Sequence, residues 1–144
     1  MDTQLYHQAI LDAAAAATGR GEIENSDIRV EIDNPLCGDR VRIDLMIDGG
    51  RVLQLAHRVR GCILCEAAAS VIGAEAPGEH AADLSALALD LRRSLGSDEK
   101  APPLRWPSLE MFAPVRAYRS RHDCVLLPFD ALVRALDKAN GIGT

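Results

Sequence analysis

The stretch Arg40-Val41-Arg42-Ile43-Asp44-Leu45-Met46-Ile47-Asp48-Gly49-Gly50-Arg51 alternates apolar and polar residues and then ends on an acidic-glycine turn. Val41, Ile43, Leu45 and Ile47 fall on one face, as a half-buried strand requires. Asp48-Gly49-Gly50 supplies the positive φ angles of a tight hairpin, so the chain turns back into a third strand from Arg51 to about Val59. Upstream, Ile28-Arg29-Val30-Glu31-Ile32 alternates in the same way, and Asp33-Asn34-Pro35 breaks it. Three strands joined in sequence by short turns make an antiparallel meander.

At the exit of the third strand, Arg60-Gly61 leads into Cys62-Ile63-Leu64-Cys65-Glu66-Ala67-Ala68-Ala69-Ser70-Val71-Ile72, a small, alanine-rich helix with two thiols in its first turn. A helix start offers unpaired N–H groups and the positive end of the dipole, which favours a thiolate ready to bind metal or attack. Adjacent strands reverse direction, so the first connection, with Cys37-Gly38-Asp39, and the exit at Cys62 are expected at the same end of the sheet. Cys124 stands far along the chain, just ahead of another helix start. The fold is therefore expected to gather most of the four sulfurs.

Away from the meander, a helix is expected from about Leu5 to Ala17, with Tyr6, Ile10, Ala13, Ala14 and Ala17 on its packing face and Thr18-Gly19 ending it. The cysteine-bearing helix is expected to reach Ile72 and to be interrupted from Gly73 to Gly78. Leu84, Leu87, Leu91 and Leu95 mark a core helix from about Glu79 to Leu95. Ser97 to Pro103 reads as a connector. Ser108 is placed to cap a short helix ending near Pro114, and a last helix is expected to carry Pro128 in its first turn and run to Lys138. His57 and Arg58 are assigned to the exposed face of the third strand.

The 144 residues, 48% hydrophobic, suit one domain spanning 1–144 with a genuine core, and the pattern of elements is α+β, a three-stranded antiparallel sheet packed against several helices. A net charge of -5 and five aromatics argue against a nucleic-acid partner. No apolar run approaches the roughly 20 residues needed to cross a bilayer, so no membrane is expected. The N-terminal residues lack a basic segment followed by an apolar one, which points to the cytoplasm, where four cysteines more often mean metal or redox chemistry than disulfides.

Cys62-x-x-Cys65 alone fits a redox pair, half a zinc site or two small core residues. A thiol oxidoreductase built on Cys62 and Cys65 would call for a βαβ context, yet no further parallel strands follow. A zinc ribbon would need two such knuckles, and the chain has one.

Taken together, Asn34-Pro35-Leu36-Cys37-Gly38-Asp39, the Asp48-Gly49-Gly50 hairpin, Arg60-Gly61-Cys62 followed by Ala69-Ser70, and Arg121-x-x-Cys124 before Leu126-Leu127 form a distinctive set. On these motifs the chain resembles the iron–sulfur cluster assembly scaffolds of the IscU, SufU and NifU N-terminal type, from about Leu5 to Leu136. The proline-rich stretch around Ala101 to Pro107 looks more like the SufU branch.

The resemblance implies that Cys37, Asp39, Cys62 and Cys124 surround one site, and that Cys37 accepts sulfur from a cysteine desulfurase. It also implies apo iron–sulfur proteins as acceptors. Three thiolates and a carboxylate suit either a zinc ion or a [2Fe–2S] cluster held by one weak ligand. The alternatives are a zinc-dependent sulfur relay that activates a desulfurase and a non-catalytic zinc-binding interaction domain.

Three residues depart from the pattern. Cys65 stands where the family has serine, as a substitute ligand, a persulfide-resolving thiol or a buried residue of the helix. Asp123 occupies the place of the histidine that precedes the last cysteine in the IscU branch, and it puts a negative charge beside Cys124. His122 stands one residue earlier, as a ligand or a solvent-facing loop histidine.

Overall fold

The structure, a computed structural model, describes residues 3–36, 38–97 and 103–140, and side chains from residue 7 onward. Cys37, the side chain of Tyr6 and most of the connector lie outside the described residues. The order of elements is α1 (Thr3–Ala16), β1 (Ile28–Asn34), β2 (Asp39–Asp48), β3 (Arg51–Arg60), α2 (Ile63–Glu75), α3 (Ala81–Gly96), a 3₁₀ segment (Pro107–Ala117), a short 3₁₀ turn (Arg119–Arg121) and α4 (His122–Ala139).

The expected meander is present. The sheet order is β1-β2-β3, both pairs antiparallel, with Asn34 opposite Asp39 and Val41 opposite Val59. Gly49 and Gly50 take φ of +58° and +76° in the hairpin, a conformation that side chains beyond glycine resist. The inner face carries Val30, Val41, Ile43, Leu45, Val52 and Leu55, all buried. Onto it packs α4, which is also covered by α2 and α3, so a single helix is enclosed by sheet on one side and helices on the other. Its Phe129 meets Trp106 with ring centroids 6.2 Å apart. This burial of apolar surface is the main source of stability.

Several boundaries differ from the sequence expectation, each for a local reason. Gly73 does not interrupt its helix, because α2 continues to Glu75. The missing side chain instead admits the Thr18–Gly19 turn: a Cβ at Gly73 would collide with the Thr18 carbonyl oxygen. The start of α3 is delayed to Ala81, since Glu79 and His80 are drawn onto β3. There Val52 N donates to the Glu79 carbonyl at 3.0 Å, and Arg51 pairs with His80. Ser108 does not cap a helix; its hydroxyl donates to the Glu75 carboxylate, and the segment is a 3₁₀ run through Pro114 to Ala117. Pro128 lies inside α4 rather than in its first turn, because that helix already begins at His122.

His57 is the clearest correction. It is 3% exposed and sits opposite Ile43 on the inner face. Its Nε2–H donates to the Thr18 carbonyl at 2.8 Å, while Nδ1 is buried without a partner. Burial pushes its pKa below the ordinary histidine value, the Thr18 hydrogen bond works the other way, and Arg20 lowers it further. Strand alternation contains this answer: His57 and Arg58 are neighbours and cannot share a face, and His57 falls in phase with Leu55 and Val59.

Candidate metal centre

The β1–β2 connection and the β3 exit lie at one end of the sheet, and the register explains why. Asn34 faces Asp39 across the first turn, and Arg40 faces Arg60 across the second pair. The last residue before the helix turn, Gly61, therefore lands beside Asp39. The turn is shaped by Asn34, whose side-chain oxygen accepts from Leu36 N at 3.0 Å and whose carbonyl accepts from Gly38 N at 2.8 Å; Gly38 takes φ +75°. Leu36 in this turn is 92% exposed.

Asp39, Cys62 and Cys124 converge. One ligand atom from each lies within 4.8 Å of the others, the only such group of three among the described residues. Cys62 occupies the N-cap of α2 with extended φ and ψ of −73° and 170°, and makes no side-chain cap hydrogen bond. Cys124 lies in the first turn of α4 rather than ahead of it, and is 5% exposed. Two helix N-termini thus carry the thiols, the end of a helix where negative charge is favoured.

Asp39 is 5% exposed, and its Oδ2 is buried without a hydrogen-bond partner. An orphaned carboxylate oxygen carries a desolvation cost that a native fold rarely leaves unanswered. A tetrahedral ion with bonds of about 2.0–2.3 Å holds its ligand atoms about 3.5 Å apart, so a modest contraction of this group would suffice. The donor set and the unpartnered oxygen fit a metal ion or cluster. Gly61 permits the arrangement: a Cβ there would lie 2.8 Å from Asp39 Cγ and 3.0 Å from its Oδ1.

The other candidates lie elsewhere. Cys65, in the first turn of α2, is fully buried in the apolar core and is not part of the converging group. His122 turns away, its Nε2 standing 3.1 Å from the Val115 carbonyl and 3.2 Å from that of Arg116. Arg121 is exposed at the N-cap of α4. Ser70 is a structural residue: its hydroxyl oxygen accepts from Thr18 N at 3.0 Å and ties α2 to the end of α1. Among the described residues no helix is long and apolar enough to cross a membrane.

A three-stranded meander whose turn and exit deliver a carboxylate and a thiol to the starts of two helices defines a small α+β protein with one metal- or cluster-type site. The comparisons agree. Residues 5–125 match the family described as NifU-like N terminal domain, and the chain belongs to it. This is the family of the IscU and SufU proteins of iron–sulfur cluster assembly. Among its relatives, the iron–sulfur cluster assembly scaffold protein IscU of Thermotoga maritima is 25% identical over 134 residues, covering 93% of this chain and 94% of that protein. The zinc-dependent sulfurtransferase SufU of Bacillus subtilis is 28% identical over 144 residues, covering 98% and 95%. The crystal structure of a NifU-like protein (N-terminal) from Brucella abortus superposes with a TM-score of 0.88 at 31% identity, covering 94% of each chain. FiSufU of Fervidobacterium islandicum, at 24% identity and a TM-score of 0.83 over 94% of this chain and 99% of that one, shares the fold.

Proposed function

We propose that this protein is a scaffold and sulfur acceptor in iron–sulfur cluster assembly, holding its metal or [2Fe–2S] cargo through Cys37, Asp39, Cys62 and Cys124. The observation that carries the reading is the convergence of Asp39, Cys62 and Cys124 around an orphaned carboxylate oxygen. Cys37 stands in sequence two residues before Asp39, and with it the proposed set is three sulfurs and one oxygen.

Each residue has a chemical task. Cys62 and Cys124 are the fixed donors, anchored at helix starts. Asp39 is the hard, weakly held donor, suited to a site that must release what it assembles. Cys37 is the acceptor: its thiolate attacks the outer sulfur of a persulfide on a cysteine desulfurase, a new S–S bond forms at Cys37, and the desulfurase cysteine leaves as thiolate. No net oxidation occurs, since the sulfane sulfur passes from one thiol to another. Apo iron–sulfur proteins are the proposed recipients of the finished cluster.

A second reading, a zinc-dependent sulfur relay, is favoured by the likeness to SufU of Bacillus subtilis over 98% of the chain. In that case a resident zinc would be held by the same four residues and would supply Lewis acidity and thiolate stabilisation. The two readings part on anaerobic incubation with a desulfurase, cysteine and ferrous iron. The scaffold accumulates iron, acid-labile sulfide and cluster absorbance that passes to an apo acceptor. A relay keeps stoichiometric zinc and forms no cluster, and that result would overturn the scaffold.

A further inference from the structure

The outer face of the sheet carries a charge pattern that the site does not use. Directly opposed residues of antiparallel strands share a face, and the β2–β3 register sets Arg40 opposite Arg60 and Arg42 opposite Arg58. Four of the chain's 16 basic residues are thus arranged as two facing like-charge pairs, in a protein with 21 acidic residues and net charge -5. Like charges directly opposed destabilise a sheet, and a single acidic residue at either end of each pair would remove the cost.

On the β1 side the pairs find counterions. Arg40 lies 3.9 Å from Glu31 and 3.6 Å from Asp33, and Arg42 lies 2.9 Å from Glu22 and 3.7 Å from Asp44. Arg29 is committed to the buried Asp44, donating from Nε at 2.8 Å. On the β3 side Arg58 and Arg60 are exposed, and neither makes an ion pair among the described residues. The uncompensated half of the face is also next to the site: Arg60 directly precedes Gly61 and Cys62, and Arg40 directly follows Asp39.

We propose that Arg58 and Arg60, held beside the neutralised Arg40 and Arg42, form a docking surface for the carboxylate-rich face of a partner protein, which they bring over the rim of the Asp39–Cys62–Cys124 group. Guanidinium groups bind carboxylates in bidentate pairs, and a compact positive patch on an acidic molecule orients the encounter. The partner is a protein rather than a nucleic acid because Glu22, Glu31 and Asp33 line the β1 half of the same face. A continuous polyanion crossing the sheet would meet them, whereas a protein face can set carboxylates over β3 and leave β1 to solvent or to bases. The surface is defined without reference to what the site holds.

The test uses Arg58→Glu and Arg60→Glu, each of which turns a like-charge pair into an opposite-charge pair. Thermal melting of the whole chain should show each variant more stable, by roughly 2 °C. Acetylated tetraglutamate, titrated at low salt and followed through the arginine side-chain N–H resonances, should shift Arg58 and Arg60 but not Arg29, with the effect fading as salt is added. Arg58→Glu should weaken this binding about tenfold or more, while zinc uptake stays unchanged. Lower stability in both variants, peptide binding indifferent to the substitution, or tighter binding of a single-stranded DNA oligonucleotide than of the peptide would each overturn the proposal.

Discussion

Gly61 and Asp39 show how much of the site rests on a missing atom. Gly61 is not in a left-handed conformation, so its role is space: a Cβ there would stand 2.8 Å from Asp39 Cγ, and the carboxylate could not hold its place beside Cys62 and Cys124. Gly61→Ala is expected to lower zinc affinity about as much as Asp39→Ala, and to cost nothing more when the two are combined. Equal losses in both backgrounds, measured by competition with a chromophoric chelator, would show that Gly61 acts through something other than Asp39. His57 makes a second prediction. Its pKa is lowered in the folded protein, so the unfolded chain binds the proton more readily. The contribution is complete above the ordinary value of about 6.5 and is lost as pH falls from there toward the depressed folded value. Urea midpoints should therefore fall between pH 7 and pH 5 by more in the wild type than in His57→Gln; identical slopes would contradict this. Cys62 and Cys124 are legible from their places at helix starts and Asp39 from its place at a strand end, while their union in one site follows from the resemblance to the scaffold family and is matched by the convergence of the three. His57 lies inward against the expectation because its phase in the strand, not its polarity, decides its face.

Among the elements, α2 is the one whose position matters most, since its first residue follows Cys62. Two contacts hold it to the end of α1, the Ser70 hydroxyl with Thr18 N and the close approach of Gly73 to Thr18 and Gly19, and the His57 hydrogen bond to the Thr18 carbonyl ties that same turn to β3. Gly19 contributes by its own φ of +85°, which glycine alone adopts without strain. Gly73→Ala should destabilise the protein by roughly 2–4 kcal/mol, because backbone rather than a flexible side chain is in the way. Ser70→Ala should cost only about 1 kcal/mol, the net worth of one hydrogen bond. Calorimetric melts that reverse this order would contradict the proposed docking. Strands and the hairpin could be read from alternation and turn chemistry, both local properties. The length of α2, the late start of α3 and the 3₁₀ run could not, because each depends on a partner distant in sequence: Thr18 for Gly73, Val52 for Glu79, Glu75 for Ser108.

At the scale of the whole molecule, the helix α4 is enclosed between the sheet and two helices, and its first turn delivers Cys124 to the end of the sheet where Asp39 and Cys62 already stand. The core and the site therefore share one element. This explains why a late cysteine, more than sixty residues beyond Cys62, returns to the same place. The apolar stripe Phe129, Leu132 and Leu136 made that return legible in outline; the angle at which α4 crosses the sheet is set by packing and had no sequence signature. The central claim, that Asp39, Cys62 and Cys124 act with Cys37 as one metal- or cluster-holding unit, is tested most directly by native mass spectrometry of the chain titrated with zinc without oxygen. The wild type is expected to bind one zinc per chain, with Cys62→Ser and Cys124→Ser losing it and Asp39→Ala holding it more weakly. Wild-type protein that binds no zinc, or variants that all retain it at full stoichiometry, would contradict the account.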